Sequence, residues 1–251
     1  MISSSLKPSV LLWILAILIP STLITTYTLT VLLFHGIRRT VPYISDTIDF
    51  SPESCIGTFF ISISAFLVFI VVFVKHFLLQ NNINQNFNID IILNENENEK
   101  KKNRAKMLNR ISTFLGLICG VCIHGVSSFQ YHNTGLVHSI FAASFFFTGF
   151  IYIFTQTYLD HKFSKLPKRI LILRRVISLT TSVFIGYIIL QFFIDNLAPI
   201  LKIISALSIF FYLISFFYEF SKITINFQIN TISQIEHQKE YNENSALLIS
   251  Q

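Results

Sequence analysis

Charge is what this chain has least of. Asp, Glu, Lys and Arg make up 13% of its 251 residues, where a soluble globular domain carries about a quarter. That shortage excludes an ordinary water-soluble fold. Cysteine is scarce as well: Cys55, Cys119 and Cys122 are too few for a disulfide framework. The loops assigned below to the lumenal side lack Asn-X-Ser/Thr sequons, so N-glycosylation is not expected there. The first apolar run lacks a small-residue cleavage site and is longer than a signal-peptide core. It reads as a retained span.

What is present is hydrocarbon. The chain is 52% hydrophobic with 27 Phe and a mean hydropathy of +0.60. About 20 apolar residues cross the hydrocarbon core of a bilayer. The uncharged runs therefore read as six spans, roughly 10–34, 55–79, 110–128, 136–157, 170–194 and 197–220. Backbone groups facing lipid must be satisfied within their own segment, so every span is helical. The expected fold is all-α, a polytopic bundle of six transmembrane helices in residues 1–222 with a tail at 223–251.

Basic residues set the orientation. Sixteen of the 19 Lys and Arg fall on one side: Lys7, Lys75, the clusters 100–110 and 162–175, Lys222 and Lys239. Arg38, Arg39 and Lys202 fall on the other. Both termini are expected in the cytosol, with loops 35–54, 129–135 and 195–196 lumenal or extracellular. The net charge of +6 then reports topology and attraction to anionic lipid. It does not report nucleic-acid binding, because the basic residues are divided among juxtamembrane loops.

The segment 80–109 is rich in Asn, then Glu, then Lys, and is expected to be a disordered cytosolic insert. Its basic end, Lys100 to Lys106, anchors the third span at the cytosolic leaflet, with phosphoinositide binding as the alternative. Gly116 and Gly120 carry the four-residue spacing that lets helices approach closely. In the first span, hydroxyls of the Ser21–Thr26 stretch can satisfy a carbonyl freed by Pro20.

Candidate chemistry is sparse. Cys119 and Cys122 form a C-x-x-C inside a span, where small packing residues are the expected role. His124 and His138 lie near the lumenal ends of spans three and four, within reach of lumenal water or the 129–135 loop. Asp46, Asp49 and Glu53 could bind a cation, but they fit equally a solvated loop with one helix-start carboxylate. In that start, Ser51 is the expected N-cap, Pro52 fits the first turn, and Glu53 meets the positive dipole end. Glu219 is expected to pair with Lys222 at the interface. No nucleophile–base arrangement, proton-relay chain or inverted repeat is visible, so no enzyme, cofactor or metal site is expected. In the tail, Glu243 four positions before Leu247-Leu248 resembles the dileucine signal read by endosomal and lysosomal sorting adaptors.

The distinctive polar segment is Val41 to Ser54. Its Pro42-Tyr43-Ile44-Ser45-Asp46 block, followed by Pro52-Glu53, resembles the damage-regulated autophagy modulator (DRAM) family. That family sits in a superfamily with Frag and Sfk-type proteins and factors of GPI-anchor remodelling. The likeness continues in order through Phe129-Gln130, Val137-His138, Gly149, Tyr152, Gln156, Arg175 and Glu219, over roughly residues 10–230. Two positions depart from it. Ile48 stands where the family often has Gly, and Ser139 follows His138 where a member typically has an acid.

The resemblance implies a six-span lysosomal or endomembrane protein that promotes autophagy without an established catalytic site. It would act by binding lipids or unidentified protein partners. The alternatives are a GPI-anchor lipid-remodelling or Sfk-like phosphoinositide-organising factor in the ER, Golgi or plasma membrane. A small channel or transporter is opposed by the sparse membrane charge.

Overall fold

The computed structural model describes residues 2–33, 42–89, 95–183 and 197–229. Helices dominate them: α1 (Ser9–Leu32), α2 (Glu53–Ile89), α3 (Glu95–Ser128), α4 (Tyr131–Phe163), α5 (Lys168–Thr181), α6 (Leu197–Ile214) and the short α7 (Phe217–Phe220). Among the described residues, five helices are long and apolar enough to cross a membrane: α1 to α4 and the stretch Pro199–Phe220. The expected fifth span begins as α5, while its residues 184–194 lie outside the described part. The chain is a polytopic, predominantly helical membrane protein.

The bundle is packed on α2, α3 and α4. Leu12, Leu15, Val71, Ile153, Tyr212 and Phe216 form its centre, drawn from α1, α2, α4, α6 and the turn before α7. Outward, Trp13, Phe66, Phe114, Phe147 and Leu179 are exposed, as side chains in contact with lipid are. Glycine permits the close contacts inside. A Cβ on Gly116 would come within 2.9 Å of Tyr152, and one on Gly120 within 2.7 Å of Phe69. The spacing read from the sequence thus seats α3 against α2 and α4. In α1, Ser21 and Thr22 donate to the Leu18 carbonyl, at 3.0 and 2.7 Å, rather than to that of Ala16, which Pro20 leaves without a helical donor.

The structure corrects the expected disorder of 80–109. α2 continues to Ile89 and α3 begins at Glu95, leaving only 90–94 undescribed within that segment. The cause is a second small core. Leu79 and Ile83, one turn apart on α2, pack with Ala105, Leu159 and Phe163, and Phe87 one turn further on joins them. Asn86 fastens the extension by donating to the Phe163 carbonyl at 2.7 Å.

β1 (Ile2–Leu6) pairs antiparallel with β2 (Ile225–Ile229), Leu6 opposite Ile225. Residues 2–6 and the first part of the expected 223–251 tail therefore meet at one end of the bundle, here called the strand end. The opposite end carries a 3-10 helix, Ile44–Ile48, and is called the loop end.

Candidate functional site

At the loop end the polar block is built into the bundle. Asp46 closes the entry to the 3-10 helix, accepting from the Tyr43 amide at 2.9 Å while its own amide donates to the Tyr43 carbonyl at 3.1 Å. Thr47 is buried and its carbonyl accepts from Thr30 of α1 at 3.2 Å. Asp49 reaches across to α4, accepting from the His132 amide at 2.8 Å. Glu53, in the first turn of α2, is fully buried. Pro42, Tyr43, Ile44 and Ser45 are half-buried and Pro52 is exposed. Asp46 and Asp49 thus each accept a backbone N–H, and the described residues contain no cluster of three or more His, Cys, Asp or Glu able to hold a metal. Arg38 and Arg39 lie outside the described residues.

Ile48 packs against α2. It is buried, and a Cβ on Gly57 of α2 would approach its Cγ2 to 2.5 Å. Gly57 thus makes room on α2 for the Ile48 side chain.

Beneath the 3-10 helix lies a cavity of about 360 Å³ with walls from α1, α2, α3, α4 and α6. Its lining is apolar save for a few groups, among them Ser45, Lys202 and His138. The Lys202 ammonium lies 5.0 Å from the centre of the Tyr43 ring. His138 is buried, with Nδ1 2.8 Å from the Phe129 carbonyl and its ring edge-on to Tyr131. A carbonyl only accepts, so Nδ1 carries a proton, and in the neutral form of the imidazole Nε2 offers a lone pair. Nε2 has no partner. The matched Phe129-Gln130 and Val137-His138 pairs therefore meet in space. His124 is separate, and its Nδ1 lies 2.9 Å from Ser62 Oγ.

Toward the strand end sits a feature the sequence reading missed. Lys75 Nζ lies 2.6 Å from Asp160 Oδ1 and 2.8 Å from Glu219 Oε1. Arg174 meets the remaining oxygens of the same two carboxylates, each at 2.5 Å. The result is an alternating ring of two cations and two anions, every member buried, joining α2, α4, α5 and α7. Arg174 also donates to the Ser215 hydroxyl and carbonyl at 3.0 and 3.1 Å. The Phe216 ring centre lies 4.9 Å from both cations.

This corrects the expected Glu219–Lys222 pair: Lys222 instead lies against Tyr218, bonding its hydroxyl at 2.6 Å. Glu219 turns inward because α7 buries Phe220 and Glu219 together, while Lys222 follows beyond the helix in an exposed turn. It is Arg174, not the family-matching and exposed Arg175, that enters the protein. The available signal was Lys75, an ionisable residue inside the second apolar run, with Asp160 just past the end of the fourth.

The other singled-out residues are structural in their contacts. Gln156 is buried and donates to Ser112 at 3.1 Å. Phe129 stacks on Phe141, and Gln130 is half-buried ahead of α4. Cys119 and Cys122 are buried, Cys55 is exposed, and all three are free thiols. Glu243, Leu247 and Leu248 lie outside the described residues.

The family model described as the Frag1/DRAM/Sfk1/Cwh43P N-terminal domain matches residues 8–223. DNA damage-regulated autophagy modulator protein 1 of Xenopus laevis is 31% identical over 138 residues, covering 55% of this chain and 51% of that protein. DNA damage-regulated autophagy modulator protein 2 of Bos taurus is 28% identical over 134 residues, covering 53% of this chain and 44% of that protein. The chain thus spans about half the length of the curated relatives it matches. No solved structure matches it. With the match running from the start of α1 past α7, the chain belongs to the Frag1/DRAM/Sfk1/Cwh43P N-terminal-domain family.

Proposed function

We propose that this protein is a DRAM-like modulator of autophagy in lysosomal or related endomembranes, acting without catalysis by binding lipids or protein partners. The observation that carries the reading is the family match across residues 8–223, with relatives named as autophagy modulators. The loop end supports a binding role: Asp46 and Asp49 are tied to backbone amides, and the turn they hold roofs an apolar cavity. Sorting adaptors would read Glu243, Leu247 and Leu248, and the exposed basic residues of 100–106 would meet anionic lipid.

The test is autophagic flux in cells that lack the protein, restored with the wild type or with a Tyr43→Ala, Asp46→Ala version. Restoration by the wild type alone is the expected result. Equal restoration by both would remove the loop from the mechanism, and normal flux without the protein would remove the autophagy role itself. A second reading, GPI-anchor lipid remodelling, is favoured by His138 at the wall of an apolar cavity. Altered anchor lipids in the same deleted cells would select it.

A further inference from the structure

The cavity beneath the 3-10 helix has the shape and chemistry of a site for one small lipid. It follows α6 from Lys202 to Leu213, about 16 Å at a rise of 1.5 Å per residue. Its volume of about 360 Å³ lies within the range of small-molecule pockets. That suits a sterol or a single-chain lipid.

The polar chemistry narrows the choice. Ser64 and Ser127 hydroxyls, which line the cavity, are engaged with the Phe60 and His124 carbonyls at 2.9 Å each. Among the described lining residues, His138 Nε2 is the one buried side-chain nitrogen or oxygen without a partner. Because Nδ1 donates to Phe129, Nε2 of the neutral imidazole requires a donor. A buried acceptor left unmatched is costly, and an apolar cavity excludes the water that would supply the donor. One lone pair calls for one hydroxyl on an otherwise apolar body. An ionised fatty acid offers only acceptors and cannot donate to Nε2, and glycerol esters of one chain bring two hydroxyls to the one buried acceptor without a partner.

We propose that this cavity binds one sterol molecule, with its hydroxyl donating to His138 Nε2 and its ring system lying along α6 toward Leu213. Ile44, Ile48 and the Tyr43–Lys202 contact form the roof. This deepens the lipid-binding arm of the function proposed above, and it is tested on purified protein, so its failure leaves the cellular flux result standing.

The experiment is photolabelling of the full-length protein in nanodiscs with a clickable photoreactive cholesterol. Saturable labelling is expected on α1, α4 and α6, competed by cholesterol and not by monoacylglycerol. His138→Leu should weaken it about tenfold. Ala206→Phe, which adds a ring to the α6 wall, should abolish it while the protein still elutes as a single folded species. Labelling that does not saturate, that monoacylglycerol competes as well as cholesterol, or that persists in both variants would overturn the proposal. The wild-type competition alone decides it if either variant fails to fold.

Discussion

Arg174 has no substitute within the bundle. Its guanidinium presents parallel donors to Asp160 and Glu219 and two more contacts to Ser215, while Lys75 completes the charge balance. Removing one member of a buried ion set leaves an uncompensated charge, at about 3–5 kcal/mol. Arg174→Met should therefore lower the melting temperature sharply in detergent. Adding Glu219→Gln to that variant restores one cation to one anion, Lys75 to Asp160, and should recover at least half of the loss. Additive losses in the thermal melts would show that the four charges do not act as a unit. Ile48 and Gly57 give a second cycle. Gly57→Ala places a methyl against Ile48 Cγ2 and should destabilise by about 1–3 kcal/mol. In an Ile48→Ala background the same substitution should be close to neutral. This scale was the least legible in the sequence. A charge beside an apolar run reads as an interface anchor, and only the rotation of about 100° between neighbouring helical residues separates buried Arg174 from exposed Arg175.

The helices themselves were legible where hydrophobicity was continuous and misread where it was intermittent. α1 and the membrane portions of α2, α3 and α4 fall where the apolar runs predict them. The helical extension of α2 did not, because Asn81, Asn82, Asn84, Asn86 and Asn88 lower the mean and hide the one-turn spacing of Leu79, Ile83 and Phe87. Those three side chains meet α3 and α4 in a core of their own, so the extension is held by packing and not by propensity. Ile83→Ala should cost about 2–5 kcal/mol there and open residues 80–89 to protease in the folded protein. Asn84→Ala, at a neighbouring half-buried position, should leave protection unchanged. Equal cleavage of wild type and Ile83→Ala would mean that the segment is disordered, as its composition alone suggests.

Across the whole molecule, the two ends differ in kind. The loop end carries the family block, the cavity and His138, whereas the strand end carries the charge ring and the β1–β2 pair. The strand pair ties residues 2–6 to 225–229 and so fixes both on one side of the bundle, which basic-residue counting could only infer from an even number of spans. The counting itself changes in the structure. Lys75 and Arg174 are matched within the protein and contribute no free charge to either face. Setting these two aside, 14 of the basic residues that the sequence assigns to the side of the termini remain against three assigned to the other, and the expected orientation still puts the strand end in the cytosol. Single cysteines in a Cys55→Ser background test this directly. Ser5→Cys and Thr224→Cys lie at exposed positions of the strand end, and Ser51→Cys at an exposed position of the loop end. With the plasma membrane selectively permeabilised, an impermeant maleimide should label the first two and reach the third only after detergent. Labelling of Ser51→Cys together with Ser5→Cys would place both ends on one side and break the spanning topology. Labelling of Ser51→Cys alone would invert the orientation and turn His138 and the cavity toward the cytosol.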